Sequence, residues 1–72
     1  MIVRCPHCHI AIQIAELNCA IFRCGVLRAT GEQIPPHAPR QQCMALRARK
    51  AIWGCGRPFR VVRGRAHPCG YI

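Results

Sequence analysis

A small α+β fold stabilised by bound metal is what this sequence predicts, and three observations point there. The chain has only seventy-two residues, too few to bury a large apolar core, and domains of this size commonly add disulfides, a metal or a partner chain. It nevertheless carries seven cysteines and four histidines, a cysteine share near the roughly 8–10% at which cysteine reads as framework. The first two cysteines form a C-x2-C turn, Cys5-Pro6-His7-Cys8, which supplies two ligands of a tetrahedral zinc from one stretch of backbone.

The elements follow in chain order. Ile10, Ile12 and Ile14 alternate with Ala11, Gln13 and Ala15, a period of two that predicts a strand over residues 9–15 with one buried face. Residues 2–4 complete a hairpin with it, turning through Cys5–Cys8. A second strand-like stretch runs from Ala20 to Leu27 and breaks at Gly25. Thr30 to Pro36 ends in consecutive prolines and reads as a loop. Pro39 suits a first helical residue, and Arg40 to Ala51 holds good helix formers, so a helix is expected over about 39–51. Met44, Ala48 and Ala51 line up as its thin apolar stripe, with Cys43 at the edge and Leu46 on the far side. The glycine-flanked turn Trp53-Gly54-Cys55-Gly56 should end the helix. Trp53 and Phe59 are expected in the small core, and Phe59 to Arg63 forms a last strand. The domain thus covers 1–63, and 64–72 is a loosely held basic tail.

The redox setting bears on the cysteines. Residues 1–4 lead straight into the first cysteine without a basic and then apolar leader, and no apolar run is long enough to span a bilayer. An intracellular, cytoplasmic protein is expected, in which clustered thiols bind metal more often than each other. The odd count of seven agrees.

Cys5-x-x-Cys8-His9 is also the attachment signal of a c-type haem. Haem would use Cys5, Cys8 and His9 and leave five cysteines idle, whereas zinc employs more of them. Paired candidates follow as Cys19-x4-Cys24, His37-x5-Cys43, Cys55 and Cys69. A hairpin knuckle joined to two ligands at a helix N-terminus is the treble-clef arrangement, related to the zinc ribbon. It gives a first site of Cys5, Cys8, His37 and Cys43. Cys19, Cys24 and Cys55 make a second, with Cys69 or His67 as its fourth ligand, so one or two Zn2+ are expected. A single ion held by Cys5, Cys8, Cys43 and Cys55, or by Cys5, Cys8, Cys24 and Cys55, stays open. His7 and His9 read as solvent-facing knuckle residues.

Four stretches, C-P-H-C (5–8), N-C-A-I-F-R-C-G (18–25), P-H-A-P-R-Q-Q-C (36–43) and W-G-C-G-R-P-F (53–59), resemble a group of small uncharacterised zinc-finger-like proteins from bacteriophage and large-virus genomes. The resemblance covers about residues 5–60 and implies a metal fold without an activity. In that group histidine is expected where this chain has Cys24, and the exchange of one zinc ligand type for another speaks for Cys24 as a ligand. Cys69 lies outside the resembling region.

Charge is the other strong signal. Eleven Lys and Arg face two acids, Glu16 and Glu32. No acid follows Glu32, while Arg40, Arg47, Arg49, Lys50, Arg57, Arg60, Arg63 and Arg65 all do. Two zinc sites of the composition above would lower the formal +9 to about +6. Such a half attracts nucleic acid or an acidic protein, and Trp53, Phe59, Phe22 and Tyr71 offer faces for stacking on bases. The expected function is a nucleic-acid-binding module of low sequence specificity, since phosphate contacts position without specifying sequence. The alternative is a protein-interaction adaptor docking on an acidic partner, a viral one if the resemblance is followed. Interfacial membrane binding lacks its large aromatic or leucine face. Catalysis lacks its ingredients: there is no H-E-x-x-H, no Asp and only two Glu. No enzyme and no small-molecule substrate are expected.

Overall fold

The structure, a computed structural model, describes residues 1–14 and 19–72. Ala15, the expected end of the first hairpin, Glu16, one of the two acids, and Asn18 of the second resembling stretch lie outside the described residues. The element order is β1 (Ile2–Arg4), β2 (Ala11–Gln13), β3 (Ile21–Arg23), β4 (Val26–Leu27), α1 (Arg40–Ala48), β5 (Ile52–Trp53), β6 (Pro58–Val62) and β7 (Arg65–Pro68). A small antiparallel α+β fold is what these elements make.

The first hairpin forms, but its second strand is shorter than the expected 9–15, because His9 and Ile10 belong to the knuckle loop. β1 and β2 pair antiparallel with Val3 opposite Ile12, and Val3, Ile12 and Ile14 turn inward, while Ile10 stays partly exposed. The second stretch divides at Gly25 into β3 and β4, which belong to different sheets. β3 pairs with β6, setting Phe22 opposite Phe59, and the two rings stack at 5.7 Å between centroids. β4 pairs with β5. These short sheets enclose two small apolar clusters. One holds Val3, Cys5, Ile12, Ile14, Phe22, Cys24, Phe59 and Val61, and the other holds Ile34, Ala38, Cys43 and Ile52.

Three expectations are corrected. The helix ends earlier than Ala51 and is rotated from its expected stripe. Lys50 takes a left-handed φ of 54°, while its N–H bonds the Arg47 carbonyl and the Ala51 N–H bonds that of Leu46. This is a Schellman stop, with lysine where glycine is usual. Pro39 is the N-cap rather than the first helical residue. Cys43 is the buried helical residue and Leu46 packs beside it, whereas Met44 is 53% exposed. Cys43 acts there as a small apolar side chain packed with Ile34, Ala38 and Ile52. Trp53 is also outside the core, 59% exposed, with the Arg28 guanidinium 4.1 Å over its ring.

The third correction concerns residues 64–72. Val61 and Val62 continue through Arg63 and Gly64, with φ of 52° and 77°, into β7, which pairs with β6 along four positions. Two successive positive φ values make the two-residue turn that suits a twisted hairpin. Beyond it Tyr71 packs on the second cluster, and its hydroxyl donates to the Gly56 carbonyl. No helix among the described residues is long and apolar enough to cross a membrane.

A four-cysteine centre beside a cationic groove

The knuckle begins with Cys5 at the end of β1. Its N–H bonds the Ile10 carbonyl, and its carbonyl accepts from the His9 N–H, so residues 5–10 close a tight loop. His9 completes that loop at φ 67°, a left-handed conformation that costs a non-glycine residue energy. The His7 N–H donates to Cys5 Sγ at 3.3 Å, and the His7 ring donates through Nε2 to the Pro58 carbonyl. His7 thus pins the knuckle to β6.

Two more thiols arrive from segments thirty-one residues apart in sequence, Cys24 and Cys55. What joins them is a contact between two glycines. Gly25 and Gly54 lie back to back, at φ of 133° and 130°. A Cβ on Gly54 would stand 2.6 Å from Gly25 Cα and 2.7 Å from the Cys24 carbonyl oxygen, and one on Gly25 2.6 Å from the Trp53 oxygen. Only paired glycines let these backbones approach so closely. The Gly56 N–H then bonds the Cys24 carbonyl, and the Cys55 N–H donates to Cys24 Sγ at 3.4 Å.

The result is a group of four, Cys5, Cys8, Cys24 and Cys55, whose sulfur atoms all lie within 4.8 Å of one another. Cys5 Sγ is 3.7 Å from Cys55 Sγ, and Cys8 Sγ is 3.6 Å from Cys24 Sγ. A tetrahedral zinc with sulfur at about 2.3 Å has edges of about 3.8 Å, so these separations match ligands around one ion. They are far from a disulfide bond at about 2.05 Å. Cys5 and Cys24 are fully buried, and burial pushes the Cys24 and Cys55 thiols up from their ordinary value. At Cys8, burial also opposes ionisation, but hydrogen bonds from the Ile10 backbone and the neighbouring thiols outweigh it, and the net shift is downward. Four such groups can hold a metal ion in a closed shell. This set is one of the single-ion alternatives left open by the sequence.

The leading partition of ligands is not what the structure brings together. Cys43 sits in the second apolar cluster, where its thiol donates to the Ala38 carbonyl. Burial raises it, against a smaller opposing effect of the Arg23 charge. His37 is exposed; its Nδ1–H donates to the Ile72 oxygen, and its Nε2 lies 3.4 Å from Cys19 Sγ. Cys19 and His37 are therefore neighbours, but neither joins Cys5 and Cys8. The second group of Cys19, Cys24, Cys55 and Cys69 is divided likewise. Cys69 is half-buried beside the centre, on the wall of a groove it shares with Cys55, and His67 is exposed. The helix supplies no ligand to the four-cysteine group, because the residue at its start that could reach inward, Cys43, is spent on apolar packing.

All eight cationic residues named from the sequence are exposed. Six of them fall into two sets, and Arg49 and Lys50, at the end of α1, belong to neither. Arg40 and Arg47 from α1, with Arg57 from the segment after Cys55, line a groove of about 750 Å³ against Met44 and Tyr71. Arg60, Arg63 and Arg65 lie on the β6–β7 hairpin. Among the aromatic residues, Phe22 and Phe59 are buried, leaving Trp53 and Tyr71 accessible. Arg23 was not singled out by sequence. It is 3% exposed, its Nε and Nη2 donate to the Ala38 and Ile72 oxygens, and its Nη1 has no hydrogen-bond partner among the described residues.

Comparison with models of protein families, with curated proteins and with solved structures finds no match. The resemblance to phage and large-virus proteins therefore rests on its four sequence stretches alone.

Proposed function

We propose that the protein is a structural-zinc module whose cationic half binds nucleic acid through phosphates, with little sequence preference. The observation that carries the zinc part is the four sulfur atoms within 4.8 Å. Four thiolates in a tetrahedron suit zinc, and a closed shell serves folding rather than catalysis, since it keeps no position for water or substrate. The ion draws together the knuckle, the β3–β4 break and the β5–β6 connection, replacing the core that so short a chain lacks. The arrangement takes two ligands from a β-hairpin knuckle, as a zinc ribbon does, and none from the helix, unlike a treble clef. Thiolate ligation of this kind speaks for a reducing, intracellular setting.

The nucleic-acid part rests on charge. One Zn2+ with four thiolates contributes −4+2 = −2, which takes the formal +9 to about +7. Eight exposed cations lie between residues 40 and 65 with no acid among them. Arginine fits phosphate bidentately, and such binding weakens steeply as salt rises. The test is fluorescence anisotropy of labelled oligonucleotides with zinc-loaded protein across a salt series. Binding of unrelated sequences with similar affinity, and a linear fall of log affinity with log salt, is expected. No binding at low salt ends the reading.

A second reading is the protein-interaction adaptor, and one observation favours it. Exposed Trp53 and Ile10 line another groove, together with Glu32, and accessible aromatic and aliphatic side chains of this kind anchor protein interfaces. Excess nucleic acid should leave a protein held at that face in place, whereas it displaces a partner held by the arginines.

A further inference from the structure

The eight cations do not contribute equally to such binding. Resting on the nucleic-acid reading, we propose that the groove between α1 and the Cys55–Pro58 segment is the seat of a single strand: its phosphates lie on Arg40, Arg47 and Arg57, and one base lies against Tyr71 and Met44.

Shape is the first argument. The groove is concave, about 750 Å³, and shares a wall with the metal centre through Cys55. A duplex is usually entered by a protruding helix or ribbon, whereas a groove receives a strand whose bases are splayed out. Arg40 and Arg47 stand seven residues apart on one helix face, about 10 Å along its axis. They therefore meet different phosphates of one strand. Arg57 faces them from the other wall, held by the β-structure next to the zinc ligand Cys55.

Charge behind the wall is the second argument, and it is independent of the exposed arginines. The guanidinium of Arg23 lies 5.0 Å from the Tyr71 ring centroid and is almost wholly buried. Among the described residues one of its nitrogens lacks a hydrogen-bond partner, and the other two bond backbone oxygens. A buried charge with an unsatisfied donor is expensive. Here it adds to the positive potential at the Tyr71 end of the groove, where an anion lowers the cost. Tyr71 is also fixed from beneath by its hydroxyl bond to Gly56, so its ring is a positioned platform. Met44, exposed on the helix, supplies an adaptable apolar surface opposite.

The test uses the zinc-loaded full chain and two triple variants, each checked for one zinc per chain. Arg40→Ala/Arg47→Ala/Arg57→Ala removes the groove set; Arg60→Ala/Arg63→Ala/Arg65→Ala removes the hairpin set. Labelled oligo(dT) and a duplex of equal length are the probes. The inference expects oligo(dT) to bind more tightly than the duplex. It expects the groove variant to lose at least about tenfold in affinity and about 2 from the salt slope, as three single-strand phosphates require. The hairpin variant should lose less. Ultraviolet crosslinking of wild-type protein to oligo(dT) should mark the peptides containing Met44 and Tyr71, a readout that needs no variant. Equal losses in the two variants, a duplex preference, or crosslinks confined to the hairpin overturn the groove while leaving the nucleic-acid reading intact. Absence of binding by wild type to either probe at low salt removes both.

Discussion

Replacing Gly54 by alanine tests how the centre is assembled without touching a ligand. Gly54 holds φ 130°, a conformation nearly reserved for glycine, in which an L side chain costs about 1–3 kcal/mol. The added Cβ would also sit 2.6 Å from Gly25 Cα and 2.7 Å from the Cys24 oxygen. Both are backbone atoms of the segment carrying Cys24, so relief requires the two ligand-bearing strands to separate. Strain and separation together should cost at least about 3 kcal/mol, most of it charged to the metal, because binding and folding are coupled. At about 1.4 kcal/mol per tenfold, zinc affinity falls about a hundredfold. Gly31→Ala is the control: its φ is 77° but nothing lies within 4 Å, so it should cost about 1–2 kcal/mol without a specific effect on the centre. Competition against a chromogenic chelator under reducing conditions measures both. A Gly54→Ala protein that holds zinc as well as Gly31→Ala refutes the glycine contact as the device that unites Cys24 and Cys55.

Other expectations follow from the same geometry. Cys43→Ala should keep zinc while losing about 1–2 kcal/mol of stability to denaturant, since it removes a buried sulfur from an apolar cluster; loss of zinc instead would restore Cys43 as a ligand. His9→Gly should raise the denaturation midpoint by relieving a left-handed φ of 67°, worth about 1 kcal/mol, and an unchanged or lower midpoint contradicts the knuckle conformation. Without metal, Cys24 and Cys55 have thiols raised by burial, so the folded chain holds protons that the unfolded chain releases. Apo stability must then fall as pH rises above the ordinary thiol value, where the lowered Cys8 thiol no longer offsets them, whereas zinc affinity must rise as protons are released to bind metal. Denaturation and zinc titration at a series of pH values should show these opposite slopes.

What could be read in the sequence was what is local. Ile12 and Ile14 alternate over a few residues, and Cys5 and Cys8 share one turn, so the hairpin and its knuckle needed no tertiary information. Phe59 to Val62 was legible as a strand for the same reason. The partition of ligands was not, because Cys24 and Cys55 meet through a backbone contact that no cysteine or histidine spacing encodes. The signal that could have found it is the mirrored order Cys24-Gly25 and Gly54-Cys55, two glycines placed to face each other. The helix stripe failed because Met44 was counted as core, while Cys43, the smaller side chain, fits the space between Ile34 and Ile52. The β6–β7 hairpin was missed because its turn is Arg63-Gly64 rather than the favoured Asn-Gly, and its second strand carries a histidine and a proline instead of an apolar alternation.

Native mass spectrometry of the chain refolded with zinc under reducing conditions addresses the centre most directly, with Cys24→Ser and His37→Ala beside the wild type. One tightly held zinc per chain is predicted, kept by His37→Ala and lost by Cys24→Ser. Zinc that survives Cys24→Ser but departs with His37→Ala would contradict a centre made of Cys5, Cys8, Cys24 and Cys55.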